Sequence, residues 1–160
     1  MAKDSFVFFC TLIELPANSS LFMPAKDLFH NTVQTALKKD GWTITDEHLF
    51  IQVEDVDFYI DLTAEKILAA EKTGQKIAVE IKSFLGASDV TEFHTALGQS
   101  LNYRLALRLT EPERNLYLAV PEDVYNEFFM RRFIQRVIAE HQLKLLIFNP
   151  EREEIVQWRD

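Results

Sequence analysis

Apolar residues recur at helical spacing between residues 29 and 37. Phe29, Val33 and Leu37 lie four positions apart, and this period places them on one face of a helix. Such a face is typical of a helix that packs on a sheet or on another helix. We predict a helix over residues 26–39, ended by Gly41, because glycine suits the left-handed conformation that commonly follows a helix.

Short apolar runs follow this helix and predict strands. The run at 77–79 continues into Glu80 and has the apolar density of a buried strand. Residues 64–72 remain open between two assignments. Their Ala, Glu, Lys and Leu content favours a helix, whereas residues 72–75 could form the turn of a hairpin that leads into Glu80. The other strands predicted in this half lie at residues 42–45, 49–53 and 58–61.

The second half of the chain alternates helices with strands. Ser88 or Asp89 can cap a helix over residues 88–107, and Pro121, which two acidic residues follow, marks the start of a helix that runs to about residue 141. The core order is αβββαβ, with a helix and a hairpin appended. This order predicts an α/β fold with a central mixed sheet flanked by helices. The strands of this half are predicted at residues 115–120, 143–148 and 154–158.

Composition limits the class of protein and its surroundings. The chain has 160 residues, of which 48% are apolar and 26% charged, as expected of one soluble domain with a real core. No apolar run approaches the ~18 residues that span a bilayer, so we expect no membrane partner. The single Cys10 excludes an internal disulfide and fits a reducing compartment. We therefore expect a cytoplasmic protein.

The first 22 residues differ from the rest of the chain. Residues 6–13 are apolar and residues 16–20 have loop composition, while Asp4 weakens the basic segment that a secretory signal needs. Met23 is a natural second start. We therefore expect residues 1–22 to be an N-terminal extension, either disordered or packed as an added strand. Residues 23–160 are expected to form a single domain.

The net charge of −8 weighs against a protein that coats nucleic acid non-specifically, because phosphate binding depends on Lys and Arg. It does not exclude a nuclease, whose metal-binding carboxylates add negative charge. Local basic patches remain, although a solvated helix face is the simpler interpretation of each one alone. The patches are Lys38 with Lys39, Arg104 with Arg108, and Arg131 and Arg132 with Arg136.

Glu80 and Lys82 form the most informative pair in the sequence. Side chains two positions apart leave a strand on the same face, so a carboxylate and an ammonium project side by side. A surface salt bridge is the simpler interpretation of the pair alone, but the apolar strand before it and the helix after Gly86 favour a site. Asp61 ends an earlier apolar run. Asp61 followed by Glu80-x-Lys82 resembles the metal site of the PD-(D/E)xK nuclease superfamily.

This resemblance implies an endonuclease-like core and a metal-dependent site for phosphodiester hydrolysis. Asp61 and Glu80 would bind Mg²⁺ or Mn²⁺, cations that prefer oxygen ligands, with the carbonyl of Ile81 as an additional ligand. The cation would lower the pKa of a bound water and neutralise phosphate charge. Lys82 would orient that water and stabilise the charge of the transition state.

Gln99 and Tyr103 extend the resemblance to the RecB-like branch of the superfamily. They lie four positions apart on the second predicted helix and share a face, and a Gln-x-x-x-Tyr in that branch helps to position the catalytic lysine and the substrate backbone. A buried tyrosine beside a chance glutamine is the simpler alternative. His30 matches a metal ligand that RecB-like and Cas4-like nucleases carry on the first helix, although a lone helical histidine is more often a core or surface residue.

Further segments of the chain carry a more specific resemblance. Four of them are residues 29–33 (FHNTV), 40–45 (DGWTIT), 77–86 (IAVEIKSFLG) and 133–138 (FIQRVI). From about residue 24 to the C-terminus, the chain resembles the XisH family. The resemblance implies an fdxN element excision controlling factor, of a kind typical of cyanobacteria and linked to programmed excision of a DNA element during heterocyst development. An XisI-like protein is the partner that it implies.

Two functions follow from these resemblances. The first is a Mg²⁺-dependent DNA endonuclease that acts in programmed excision or recombination. The second is a catalytically idle regulatory module with the same nuclease fold, which acts through an XisI-like partner and which the acidic net charge slightly favours. The catalytic residues expected for the first function are Asp61, Glu80, Lys82, Gln99 and Tyr103.

Large apolar residues crowd the last predicted helix. Phe128 and Phe129 are adjacent and point about 100° apart, as do Phe133 and Ile134. The combined arc is wider than one packing stripe. We therefore predict that part of it meets another subunit, in a homodimer or in a complex with an XisI-like protein.

Overall fold

The computed structural model describes residues 25–66 and 74–160, with side chains described for residues 29–62 and 74–160. The predicted extension at 1–22 and residues 67–73 of the segment left open lie outside the described residues. In chain order, the elements are α1 (Ala25–Lys39), β1 (Thr43–Asp46), β2 (Leu49–Val53), β3 (Val56–Ile60), β4 (Leu62–Lys66), β5 (Gln75–Ile81), α2 (Asp89–Thr110), β6 (Arg114–Pro121), α3 (Glu122–Val124), a π-helical turn (Tyr125–Phe129), α4 (Arg132–His141), β7 (Leu145–Asn149) and β8 (Glu154–Arg159).

A mixed sheet forms the centre of the described chain, with the strand order β1-β4-β5-β6-β7-β8. The pairs β5–β6 and β6–β7 are parallel, whereas β1–β4, β4–β5 and β7–β8 are antiparallel. Strands β2 and β3 form a separate antiparallel hairpin. The prediction of an α/β fold with a central mixed sheet flanked by helices is confirmed.

Helices cover both faces of this sheet. On one face Val33 and Leu37 of α1 pack with Val79 of β5. On the other face Leu107 of α2 packs with Ala78 of β5 and with the β2–β3 hairpin. Because successive side chains of a strand alternate between faces, odd-numbered residues of β5 lie toward α1 and even-numbered residues toward α2.

The ends of the two long helices follow from local chemistry. Gly41 follows α1 with a positive φ of 87°, and Trp42 N donates to Leu37 O at 3.0 Å, as in a glycine-terminated helix. At the start of α2, the side chain of Ser88 accepts a hydrogen bond from Thr91 N at 3.4 Å. The predicted helix stop and N-cap are both confirmed.

The helix favoured by the composition of residues 64–72 is wrong over its first three positions. Residues 64–66 belong to β4, where Ala64 pairs with Ile77 and Lys66 with Gln75. Ladders with β5 on one side and β1 on the other offer hydrogen-bond partners to the backbone there, which outweighs a helix propensity of a few tenths of a kcal/mol per residue. The alternative assignment, a hairpin that leads into Glu80, is confirmed for residues 64–66.

The single helix predicted from Pro121 to residue 141 is also wrong. Met130 N donates to Tyr125 O at 3.1 Å, the wider spacing of a π-helical turn, and Arg131 is extended with ψ of 137°. The side chain of Gln135 donates to Phe129 O at 2.6 Å, so the interrupted backbone remains hydrogen-bonded.

This break rotates the aromatic residues into one core. Phe128 and Phe129 are both buried, together with Ile134, while Phe133 is 71% exposed. Most of the wide apolar arc is therefore buried within the chain, with Phe133 left exposed. The association with another subunit stays a prediction. Within residues 25–66 and 74–160, no helix combines the length and the apolar character needed to cross a membrane.

Candidate functional site

Asp61 and Glu80 come together because of the register between β4 and β5. Leu62 pairs with Val79, so Asp61, the next residue outward, lies opposite Glu80, and opposite residues of an antiparallel pair share a face. Asp61 Oδ2 accepts a hydrogen bond from Ile81 N at 3.0 Å. That bond holds the Asp61 carboxylate beside the end of β5, which is an interior strand of the sheet rather than an edge strand.

Glu80 and Lys82 form an ion pair at the same place. Lys82 Nζ lies 2.8 Å from Glu80 Oε1, and the side chains are 21% and 4% exposed. A carboxylate buried to this degree is stable only when it is paired or hydrogen-bonded. Lys82 N donates to Ala119 O at 3.1 Å, so the backbone of Lys82 extends the parallel ladder and its side chain starts from a rigid element.

Tyr103 of α2 faces both carboxylates. Burial, the negative charge of Glu80 and then that of Asp61 raise the pKa of Tyr103 from 10.0 to about 12, and a side-chain hydrogen bond with Gln99 acts in the opposite direction. Phe58 of the β2–β3 hairpin packs edge-on against the Tyr103 ring, with centroids 5.9 Å apart. The phenol is therefore neutral at ordinary pH and available as a hydrogen-bond donor.

Gln99 lies one helical turn before Tyr103. Its Oε1 atom is buried, and no donor among the described residues bonds to it. The sequence thus predicts five residues that the structure gathers between β4, β5 and α2: Asp61, Glu80, Lys82, Gln99 and Tyr103.

The alkaline titration of Tyr103 tests this arrangement. We expect the difference in ultraviolet absorbance between the native chain and Tyr103→Phe to show a midpoint near pH 12. Because the folded pKa is raised, the stability that depends on the neutral phenol is complete below pH 10 and is lost as the pH rises toward 12. Glu80→Gln should lower the midpoint, whereas Glu113→Gln, at an exposed site, should not. A native midpoint near 10 would contradict the arrangement.

His30 is the predicted metal ligand on α1. Helix α1 packs on the sheet face opposite to α2, and the His30 ring lies 5.2 Å from that of His48. Among residues 29–62 and 74–160, whose side chains the structure describes, no three or more His, Cys, Asp or Glu side chains form a group that could hold a metal ion. The ligand role of His30 stays a prediction.

The donor chemistry of the site fits a hard cation. Asp61 and Glu80 offer carboxylate oxygens from adjacent strands, and the backbone of Ile81 runs beside Asp61. Mg²⁺ and Mn²⁺ bind oxygen ligands and often rely on only one or two carboxylates, with water and substrate phosphate completing the shell. The two carboxylates of Asp61 and Glu80 therefore fit what such a cation needs from a protein.

A tight turn after Lys82 was not predicted from the sequence. Phe84 has a positive φ of 54°, which is unusual for a bulky residue, and its ring packs edge-on against Phe129 at 5.2 Å. Glycine would have signalled such a turn, but phenylalanine carries no such signal. The contact links the end of β5 to the π-helical turn.

Comparisons with known proteins decide the family. The sequence model described as XisH protein matches residues 23–156. The chain belongs to the XisH family. The crystal structure of an XisH family protein from Nostoc punctiforme is similar with a TM-score of 0.78 and 50% identity, over 84% of this chain and 100% of that one. The crystal structure of an fdxN element excision controlling factor protein from Anabaena variabilis is similar with a TM-score of 0.76 and 52% identity. The match covers 84% of this chain and 99% of that one. No protein with a curated description matches.

Proposed function

We propose that this XisH-family chain is a Mg²⁺-dependent DNA endonuclease with a PD-(D/E)xK-like core, acting in excision or recombination of a DNA element. The observation that carries the proposal is the convergence of Asp61, Glu80 and Lys82 at the end of β5, facing Tyr103. The Anabaena variabilis relative is named for control of fdxN element excision, which supports DNA as the substrate.

Each residue has a role that follows from its position. Asp61 and Glu80 would hold the cation, which supplies neutralisation of phosphate charge and a lower pKa for water. Lys82 starts from a rigid strand and would orient the attacking water and offset negative charge that develops on the phosphate. Tyr103, neutral below about pH 12, would donate a hydrogen bond to a phosphate oxygen. Gln99 would fix the Tyr103 hydroxyl.

Metal binding can be measured without activity. We expect Mn²⁺ at a hundredfold excess over its Kd to stabilise the native chain by about 2.7 kcal/mol, a rise in Tm of roughly 5–10 °C for a domain of this size. Asp61→Asn and Glu80→Gln should each remove most of the rise, because they remove a carboxylate ligand. Glu113→Gln is the matched control, since it removes one acid at an exposed site. Equal rises in all four proteins would show that the cation binds elsewhere.

Cleavage tests the function itself. Supercoiled plasmid and linear duplex DNA are incubated with the chain in Mg²⁺, in Mn²⁺ and in EDTA, alone and with a co-expressed XisI-like protein. We expect nicked or linear products with either cation and none in EDTA. Intact DNA under every condition, from a chain that binds Mn²⁺, would contradict the endonuclease proposal.

A regulatory module with an idle site is the second candidate. The ion pair of Lys82 with Glu80 at 2.8 Å favours it, because the ammonium already supplies the charge that a cation would bring. Such a module would act through an XisI-like protein or a second copy, and the exposed Met130 and Phe133 offer an apolar contact. Co-purification with an XisI-like protein that Phe133→Ala abolishes, without any cleavage, would favour this candidate.

A further inference from the structure

A second concave site lies at the other end of the sheet. A cavity of about 620 Å³ is lined by Arg114 at the start of β6 and by Lys144 just before β7, whereas Lys82 follows the carboxyl end of the parallel strand β5. The volume falls within the range of sites for small organic ligands, roughly 300–1,000 Å³. Because β5 and β6 are parallel, the cavity at the start of β6 and the carboxylate site at the end of β5 lie at opposite ends of the sheet.

The cavity concentrates positive charge in an acidic chain. The net charge of the whole chain is −8, yet among the described residues that line the cavity five are cationic and Asp160 is the acidic one. A cleft lined mainly by charges of one sign attracts ions of the opposite sign. The cationic residues are Arg104, Arg108, Arg114, Lys144 and Arg159.

Two of these guanidinium groups are held by neutral acceptors. Arg104 donates to the carbonyl oxygens of His141 at 2.6 Å and Gln142 at 3.1 Å. Arg159 donates to the Tyr125 hydroxyl at 2.6 Å. These bonds fix the position of each group without neutralising its charge. Both are therefore set in advance for an anion.

The other cations differ in how far they are neutralised. Arg114 pairs with Glu111 at 2.8 Å and Lys144 with Asp160 at 3.0 Å. Arg108 is exposed. The positive charge that remains for a ligand is thus carried chiefly by the three arginines at 104, 108 and 159.

Ser100 adds a buried hydroxyl to the cavity. The residue is 4% exposed, it lines the cavity, and its Oγ makes no hydrogen bond with any described residue. A serine inside a helix usually bonds back to a carbonyl of the preceding turn, and an unsatisfied buried hydroxyl costs about 1–3 kcal/mol. A ligand acceptor beside Ser100 would remove that cost.

The floor of the cavity is apolar. Leu118 and Ile138 belong to the core cluster around Phe129, and Leu107 and Leu116 belong to the cluster beneath the β2–β3 hairpin. The lining of the cavity therefore includes residues of both clusters. A ligand that fills the cavity buries an apolar or planar body on this floor and presents its charge to the arginines.

We propose that this cavity binds a small phosphorylated organic molecule of the size of a nucleoside monophosphate. Arginine forks match the oxygens of a terminal phosphate and form charge-assisted hydrogen bonds with it. The apolar floor accounts for the organic body, which inorganic phosphate lacks. The site is independent of the proposed nuclease chemistry, although Ser100 and Arg104 adjoin Gln99 and Tyr103 on α2.

Calorimetric titration with AMP tests the proposal, in EDTA so that the carboxylate site is silent. We expect the native chain to bind AMP, and to bind adenosine and inorganic phosphate at least tenfold more weakly. Arg108→Gln should weaken AMP binding at least fivefold and Ser100→Ala at least threefold, both without loss of Tm. Arg136→Gln is the matched control, because it removes an exposed α4 arginine outside the cavity and should change binding less than twofold.

Several outcomes would overturn the proposal. They are absence of AMP binding at millimolar concentration, equal affinity for adenosine or phosphate, and equal weakening by Arg108→Gln and Arg136→Gln. Binding of a single-stranded oligonucleotide without binding of AMP would likewise overturn it and assign the arginines to a nucleic acid backbone. Glu80→Gln should leave AMP binding unchanged, so that failure of the nuclease proposal and failure of this one are separable.

Discussion

Lys82→Ala is expected to lower the rate of Mg²⁺-dependent DNA cleavage by at least about 100-fold, the usual effect of removing one group that stabilises transition-state charge. The ladder bond from its backbone to Ala119 O holds the backbone of Lys82 in place, and in the proposed reaction its ammonium would lie beside the phosphate. Lys76→Ala is the matched control, because Lys76 leaves the same face of β5 at the opposite end. Its rate should stay within about twofold of the native rate, since it lies far from the reacting phosphate.

The same substitution has a consequence for stability that separates metal binding from catalysis. Without Lys82, Glu80 loses the cation that pairs with it at 2.8 Å, and removing one partner of a buried pair costs about 3–5 kcal/mol. Mn²⁺ should restore much of this loss, because it supplies a replacement positive charge. The rise in Tm on adding Mn²⁺ should therefore be larger for Lys82→Ala than for the native chain. A destabilised variant that Mn²⁺ does not rescue would argue against a cation at these carboxylates.

The sequence predicts the arrangement of the candidate site where that arrangement depends on the repeat of a single strand or helix. Alternation along a strand puts Glu80 and Lys82 on one face, and helical spacing puts Gln99 and Tyr103 on one face, whatever the rest of the fold does. The position of Asp61 depends instead on the register in which Leu62 meets Val79. The sequence indicates that Asp61 ends an apolar run, but register is set by the packing of the whole sheet.

The elements that sequence analysis missed depend on contacts distant in sequence. Strand β4 forms from residues with good helix propensity because β5 offers it a ladder. No proline or glycine occurs near the helix break after Met130, so the local sequence does not predict the break. It coincides with the burial of both Phe128 and Phe129 in the π-helical turn, which the extended Arg131 follows. Local propensity cannot reveal such compensation.

Phe129→Ala is expected to lower the free energy of unfolding by about 3–5 kcal/mol, the usual cost of truncating a buried phenylalanine. Phe129 is 0% exposed, and its ring packs against Phe84 at 5.2 Å, Phe93 at 5.6 Å and Phe128 at 5.7 Å. Urea unfolding monitored by circular dichroism measures the loss. Phe133→Ala makes the same chemical change four residues away, on a side chain that is 71% exposed, and should cost no more than about 0.5 kcal/mol.

Comparing Phe129→Ala with Phe133→Ala also distinguishes the broken helix from the continuous helix that the sequence favours. In a continuous helix, residues 129 and 133 lie on one face, so the two substitutions would have similar costs. The break separates them, and of these two residues it is Phe129 that packs against Phe84, which follows Lys82 by two residues. We therefore expect Phe129→Ala to reduce cleavage below its unfolding temperature, because the turn that follows Lys82 loses one of its packing partners. Phe133→Ala should leave cleavage unchanged, and similar effects of the two substitutions would contradict the broken helix.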